Sequence, residues 1–425
     1  MISKYFFLFS LVMVFNVKSE TKMCMTPDQF NSNRSVLFSS DVLKGIGNDI
    51  FPHQYIFNKA KFLGRGGYGE VRVVKDKVYK TAIKLLNLSK HLDASIVVRE
   101  IEMLRRICKH NKDDSSKFAE CNSRVIAPFY GCVEDGTSFY LFMRITNQDF
   151  SNEIVQIKYQ RMEPFERVKA MLHIIDKFIQ IHGFDIIHGD IKPSSIMFED
   201  ESIAQFRIFE FGSANYKGKD YFGGTHGYLA PERYGNDKYK TGLQPTDDVF
   251  ALAMTFAELE GDFEFGHGEI KNKCFVTRKI DAYCEERIVQ GLNNVFAEKK
   301  GLRTVREVFD HALNLNPLKR IQTMKDFSIA LVDKLRNLKG ASEYFSSILS
   351  SGDNFDERSS LPSFWKHRIV TMSETWRKAR NVKSTPQEES GFEWGKFFRS
   401  IGRAFGCAEN RKENNTATTV YKTIL

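Results

Sequence analysis

The sequence predicts an α+β fold, with strand and helix patterns both present along one chain. Three observations predict it. A glycine-rich stretch, Gly64-Arg65-Gly66-Gly67-Tyr68-Gly69-Glu70-Val71, leads into an alternating apolar run around Ala82-Ile83-Lys84 that reads as a strand. Next, Val97-Val98-Arg99-Glu100-Ile101-Glu102-Met103-Leu104 repeats apolar residues at helical spacing. Further on, His188-Gly189-Asp190-Ile191-Lys192-Pro193-Ser194-Ser195-Ile196-Met197 gathers charged and polar residues, followed by Phe209-Glu210-Phe211-Gly212. At 425 residues the chain is long enough for one large two-lobed domain plus extensions.

Each element has a physical reason. Glycines let a loop lie close against a ligand, where a side chain would clash and where positive φ is often needed. A lone glycine loop also serves as a plain hairpin turn, so the strand that follows carries part of the argument. Glu100 alone reads as a solvated helix charge, and Leu104 lies one turn further along the same face.

Taken in order, these stretches resemble the eukaryotic-type protein kinase superfamily, whose patterns read G-x-G-x-x-G-x-V, H-R-D-x-K-P-x-N, D-F-G and A-P-E. Gly224-Thr225-His226-Gly227-Tyr228-Leu229-Ala230-Pro231-Glu232 matches the last of these, and Asp247-Asp248-Val249-Phe250-Ala251-Leu252 resembles the start of that family's buried large-lobe helix. The resemblance runs over about residues 57 to 340 and implies the bilobal protein kinase fold. Lys192 two residues after Asp190, with Thr225 before the A-P-E, is similar to the serine/threonine branch.

The resemblance also assigns roles. It implies ATP at the lobe seam with Mg²⁺ or Mn²⁺, and a protein substrate or partner. Gly64, Gly66 and Gly69 would cover the phosphates, and Lys84, with Lys80 as runner-up, would hold them. Glu100 would pair with Lys84; Val71, Ala82 and Met197 would sandwich the adenine; Met143 would stand at the back, with Arg144 to Thr146 as hinge. Asp190 would orient the acceptor hydroxyl and Lys192 would meet the transferring phosphoryl group, unless the two merely brace the loop and Thr225. His188, Phe211 and Leu104 would stack as an apolar spine, and Arg320 would be the buried ion partner of Glu232.

Both metal-ligand positions depart from the pattern: Ser195 stands for Asn and Glu210 for Asp. Glu210 is one methylene longer, and magnesium tolerates displaced oxygens poorly. Ser195 offers a neutral hydroxyl on a shorter arm. Losing one well-placed electrostatic contact costs about 10²–10³ in rate. The expectation is a pseudokinase or weakened serine/threonine kinase, with an active kinase built on an atypical metal site as the alternative. Gly189 replaces the Arg that clamps a phosphorylated activation segment, which argues against control by phosphorylation of Ser213, Tyr216 or Tyr221.

Outside the domain, residues 1–20 read as a signal peptide, with Lys4, an apolar run from Tyr5 to Phe15, and small residues Val17 and Ser19. Residues 21–56 read as a short, mildly basic extension. Seven cysteines suit an oxidising compartment; Cys274 with Cys284 and Cys108 with Cys121 are the pairs to test, against scattered thiols. Sequons stand at Asn33, Asn87 and Asn414. Export together with Gly189 and the altered metal ligands resembles the rhoptry kinases and pseudokinases of apicomplexan parasites, although their arginine-rich amino-terminal arm is not matched. From 341 to 425 a polar linker leads into basic amphipathic segments around Trp365–Trp376 and Trp394–Phe405. Residues 361–425 suit docking on the large lobe or an anionic membrane surface. The net charge of +9 fits acidic partners or such a surface, and with no nucleic-acid module the sequence predicts no nucleic-acid partner.

Overall fold

Strands covered on both faces organise the small lobe. A computed structural model of the chain describes residues 23–33, 35, 37–38, 52–66, 69–75, 80–88, 94–109, 117–119, 121, 123–136, 138–144, 148–198, 206–221, 223–234, 242–261, 282–296, 301–335, 338 and 341. Segment 1–20, the 341–425 tail beyond its first residue, the hinge residues Ile145 and Thr146, Cys274 and Asn414 lie outside these, as does the Cys284 side chain.

Strands β1 (Lys61–Gly66), β2 (Gly69–Lys75), β3 (Lys80–Asn87), β4 (Phe129–Asp135) and β5 (Ser138–Arg144) form an antiparallel sheet in the order β1-β2-β3-β5-β4. The β1–β2 hairpin closes on the glycine loop, with Gly66 opposite Gly69. The period of two sorts the side chains. Ile83 of β3 and Tyr140 and Phe142 of β5 join an outer apolar cluster. Lys84 and Met143 turn inward, toward helix α3 (Ala94–Cys108). That helix buries Val97, Glu100, Ile101, Leu104 and Ile107, the i, i+3, i+4 stripe of an amphipathic helix.

The outer face is covered by residues of the amino-terminal extension. Helices α1 (Pro27–Asn33) and α2 (Pro52–Lys59) lie there, and Phe30, Phe38, Ile56 and Phe57 share one core with Phe142 and Phe118. Phe142 stacks on Phe30 at 5.3 Å and meets Phe118 edge-on at 5.2 Å. A strap at Cys24–Met25 bonds to β4: Met25 N–H donates to Cys132 O at 2.8 Å, and Glu134 N–H to Met25 O at 2.9 Å. A Cys24–Cys132 disulfide, not among the expected pairs, fixes the strap. The expected Cys108–Cys121 bridge forms at the end of α3. The boundary drawn at residue 57 therefore falls inside α2, because the aromatic residues on both sides of it belong to one core.

The large lobe holds helices α4 (Glu153–Gln160), α5 (Pro164–His182), α6 (Pro245–Leu259), α7 (Ala282–Val295), α8 (Arg306–Ala312) and α9 (Met324–Leu335). Helix α6 is buried nearly all round, as its apolar composition demands. Two short ribbons carry the site: β6 (Gln148–Asp149) with β8 (Ile196–Phe198) and β9 (Phe206–Ile208), and β7 (Ile186–Ile187) with β10 (Asn215–Tyr216). Arg320 clamps Glu232 with two bonds, of 2.7 and 3.0 Å, and also donates to the Thr246 carbonyl.

Two outcomes follow. Phe142→Ala should cost about 3–5 kcal/mol in urea unfolding, since a fully buried ring leaves a cavity between three others. Burial pulls the His173 ring on α5 down from 6.5 to about 4, helped by the nearby charges of Lys169 and Lys177. Its neutral form is the folded one, so this stability is complete above pH 6.5 and is lost as pH falls toward 4. His173→Leu should flatten that part of the acid slope in unfolding midpoints measured across the window.

Candidate active site

The site is built on a fully buried carboxylate. Asp248, near the start of α6, accepts from the backbone N–H groups of His188 at 2.8 Å and Gly189 at 2.9 Å. His182 Nε2 lies 2.9 Å from the same carboxylate. Burial would push this carboxyl up, but the His182 hydrogen bond and the neighbouring imidazoles outweigh it and hold the group below its usual range. The loop between β7 and β8 is thereby fixed at its base. Gly189 sits at φ 74°, a conformation that favours glycine, and a Cβ there would meet Ser213 O at 3.0 Å.

Asp190 and Lys192 then fall into one network. Asp190 Oδ1 accepts from Thr225 N–H at 2.6 Å, and Oδ2 from Lys192 Nζ at 2.8 Å. Lys192 Nζ also donates to Thr225 Oγ1 at 3.0 Å and meets Glu210 Oε2 at 2.8 Å. Burial pulls the ammonium down, but Asp190 and Glu210 together push it above its ordinary value, so Lys192 stays charged. The bracing of Thr225 is thus made by the Asp190 and Lys192 side chains themselves.

In the small lobe, Lys84 Nζ donates to Glu100 Oε1 at 2.5 Å, and both side chains are largely buried. Lys80, the runner-up, stands opposite Lys75 at the far end of β3. A cavity of about 20 Å³ is lined by Glu100, Leu104 and Met143 from one lobe and by Glu210 and Phe211 from the other. His188 meets Phe211 edge-on at 5.0 Å and bonds to Phe209 O at 2.7 Å. Ala82 and Met197 are buried, Val71 is half-buried opposite Lys84, and Gly64, Gly66 and Gly69 lie in the β1–β2 hairpin.

The two substituted positions behave differently. Glu210 adopts φ 65°, ψ 58°, left-handed for a residue with a side chain, the kind of local strain found at functional sites. Its side chain, which lines the cavity, is 47 % exposed. Ser195 is fully buried, its hydroxyl donates to Lys192 O at 2.7 Å, and its oxygen accepts from Lys192 N–H at 3.0 Å. The Ser195 hydroxyl is thus engaged within its own loop, between the N–H and carbonyl of Lys192. Among the described residues no three His, Cys, Asp or Glu side chains converge into a metal cluster. Glu210 keeps a carboxylate at the cavity, a donor suited to one divalent cation alongside phosphate oxygens, whereas Ser195 offers only a buried hydroxyl.

Sequence reasoning missed Asp248 as the loop's anchor and the Arg99–Ala214 and Tyr216–Glu102 contacts described below. Only a partner sixty residues away reveals the first. The acidic pair Asp247–Asp248 after Pro245, at a helix start, was the available signal.

Residues 57–328 match the protein kinase domain model. Serine/threonine-protein kinase ppk6 of Schizosaccharomyces pombe is 27% identical over 222 residues, covering 48% of this chain and 26% of that protein. Serine/threonine-protein kinase PknD of Mycobacterium tuberculosis is 24% identical over 328 residues, 74% of this chain and 44% of that protein. Calcium-dependent protein kinase 4 of Plasmodium falciparum is 27% identical over 199 residues, 44% of this chain and 34% of that protein. The matched regions span under half the length of each of these relatives. With the domain match covering well over half of the chain and the two-lobed architecture around the Lys84–Glu100 and Asp190–Lys192 pairs, the chain belongs to the protein kinase family.

Proposed function

We propose that this protein is a nucleotide-binding pseudokinase, or a much weakened serine/threonine kinase, that works as a scaffold or allosteric partner for another protein. The observation that carries the reading is the spent hydroxyl of Ser195, locked between the N–H and carbonyl of Lys192. Of the two substituted positions, Glu210 then remains for a cation, and it is ion-paired with Lys192. Binding is supported by the Lys84–Glu100 pair and the glycine hairpin, which suit ATP. When bound, the cation would screen phosphate charge. The chain's own part is to orient phosphates with Lys84, hold a hydroxyl near Asp190, and place Lys192 beside it.

A second reading, a working kinase that transfers the γ-phosphoryl group to a protein hydroxyl, draws on one specific observation. Asp190, Lys192 and Thr225 form a closed hydrogen-bonded set where an acceptor would lie. Export is part of the proposal. Two disulfides in the small lobe and the apolar run near Lys4 support a secretory route. Residues 361–425 would meet a partner or an anionic membrane surface there.

Labelled phosphate transfer from ATP with Mg²⁺ or Mn²⁺ should give a signal for the native protein close to that of Asp190→Ala. The combined Glu210→Asp, Ser195→Asn protein should exceed the native by about 10²-fold or more, the size of one recovered electrostatic contact. Native signal far above Asp190→Ala would instead establish the second reading. Separately, Lys84→Ala should weaken binding of a fluorescent ATP analogue by about tenfold or more, from the loss of one charged phosphate contact.

A further inference from the structure

We propose that unmodified Tyr216 is a positioning residue: it latches helix α3, and with it Glu100, to the large lobe. Tyr216 lies on β10 opposite Ile186 of β7, the strand that runs directly into His188. Its hydroxyl donates to Glu102 Oε1 at 2.7 Å, and the Arg106 guanidinium lies 5.3 Å from the ring centre. Two residues earlier, the Ala214 carbonyl accepts from Arg99 Nε at 3.1 Å. Arg99, Glu102 and Arg106 follow i, i+3, i+7 spacing, so one stripe of α3 faces the activation segment. Glu100, on the adjacent stripe, faces Lys84.

The helix is therefore held to the catalytic-loop ribbon by neutral and charged contacts that need no phosphate. The surroundings agree. Gly189 presents no cation to receive a phosphorylated segment, and Ser213 and Tyr221 are buried. Tyr216 is half-buried and spends its hydroxyl on the helix. Assembly of the Lys84–Glu100 pair depends on this latch, so the nucleotide site is complete in the unmodified chain. The second readout below rests on the nucleotide-binding reading; the first does not.

The test uses the full, disulfide-intact protein. Hydrogen exchange of peptides within 94–108 is compared in the native protein, Tyr216→Phe, Glu102→Ala and the double variant, alongside titration with a fluorescent ATP analogue. We expect each single change to speed exchange in α3 and to weaken nucleotide binding roughly three- to tenfold, the net size of one typical hydrogen bond. The double variant should be no worse than either single one, and Glu102→Gln, which keeps an acceptor, should stay near native. Unchanged exchange over 94–108 in Tyr216→Phe, or strictly additive effects, would overturn the latch. If native protein binds no nucleotide, the functional reading fails while exchange still decides the latch. If far-UV circular dichroism shows Tyr216→Phe to be misfolded, Glu102→Ala alone carries the same comparison.

Discussion

The Asp248 carboxylate is the constraint on which the site depends. A fully buried charge is costly unless every oxygen is satisfied, and here two backbone N–H groups and one imidazole satisfy it. Because the donors are consecutive residues of the loop, the carboxylate fixes the path of the chain through His188 and Gly189 rather than one side chain. Asp190, one residue on, inherits that position, and through it Lys192, Thr225 and Glu210 are tied together. The helix that carries Asp248 is itself buried on nearly all sides, so the anchor has little freedom to move.

A second constraint acts on the small lobe. Its sheet is packed on both faces, by α3 inside and by the amino-terminal arm outside. The two faces serve different ends. The inner one carries Lys84 and Met143 toward the cleft, whereas the outer one is a closed aromatic core. The Cys24–Cys132 bridge and the backbone bonds of Met25 make the arm an added edge on β4. Arg105 of α3 also donates to the Met23 carbonyl, so the arm reaches the helix that holds Glu100.

Legibility in the sequence followed the range of the interactions. Glycines at fixed offsets, the Ala-Ile-Lys strand and the Asp190–Lys192 spacing are local patterns, and they located the cleft and the lobes. The partners of Glu100 and Arg320 were also found, because the family resemblance gave each a place. The arm was not legible as core. Phe30, Phe38 and Phe57 are scattered in a polar stretch, and their partners Phe118 and Phe142 come far later. The setting of Ser195 was illegible for a related reason. Its residue type suggested a weak ligand, but the direction of its hydroxyl is set by the turn at Pro193–Ser195, which returns it to Lys192.

The arm's aromatic layer has a consequence for how the chain tolerates trimming. A fragment that began at residue 57, where the family match begins, would lose Phe30, Phe38 and Ile56 and bare the rings of Tyr140, Phe142 and Phe118 to water. Contiguous apolar patches of that kind promote self-association. It would also leave Cys132 an unpaired thiol next to that patch. The shortest form of the domain that keeps these rings covered is therefore set by its outer aromatic layer, not by the limits of the family match.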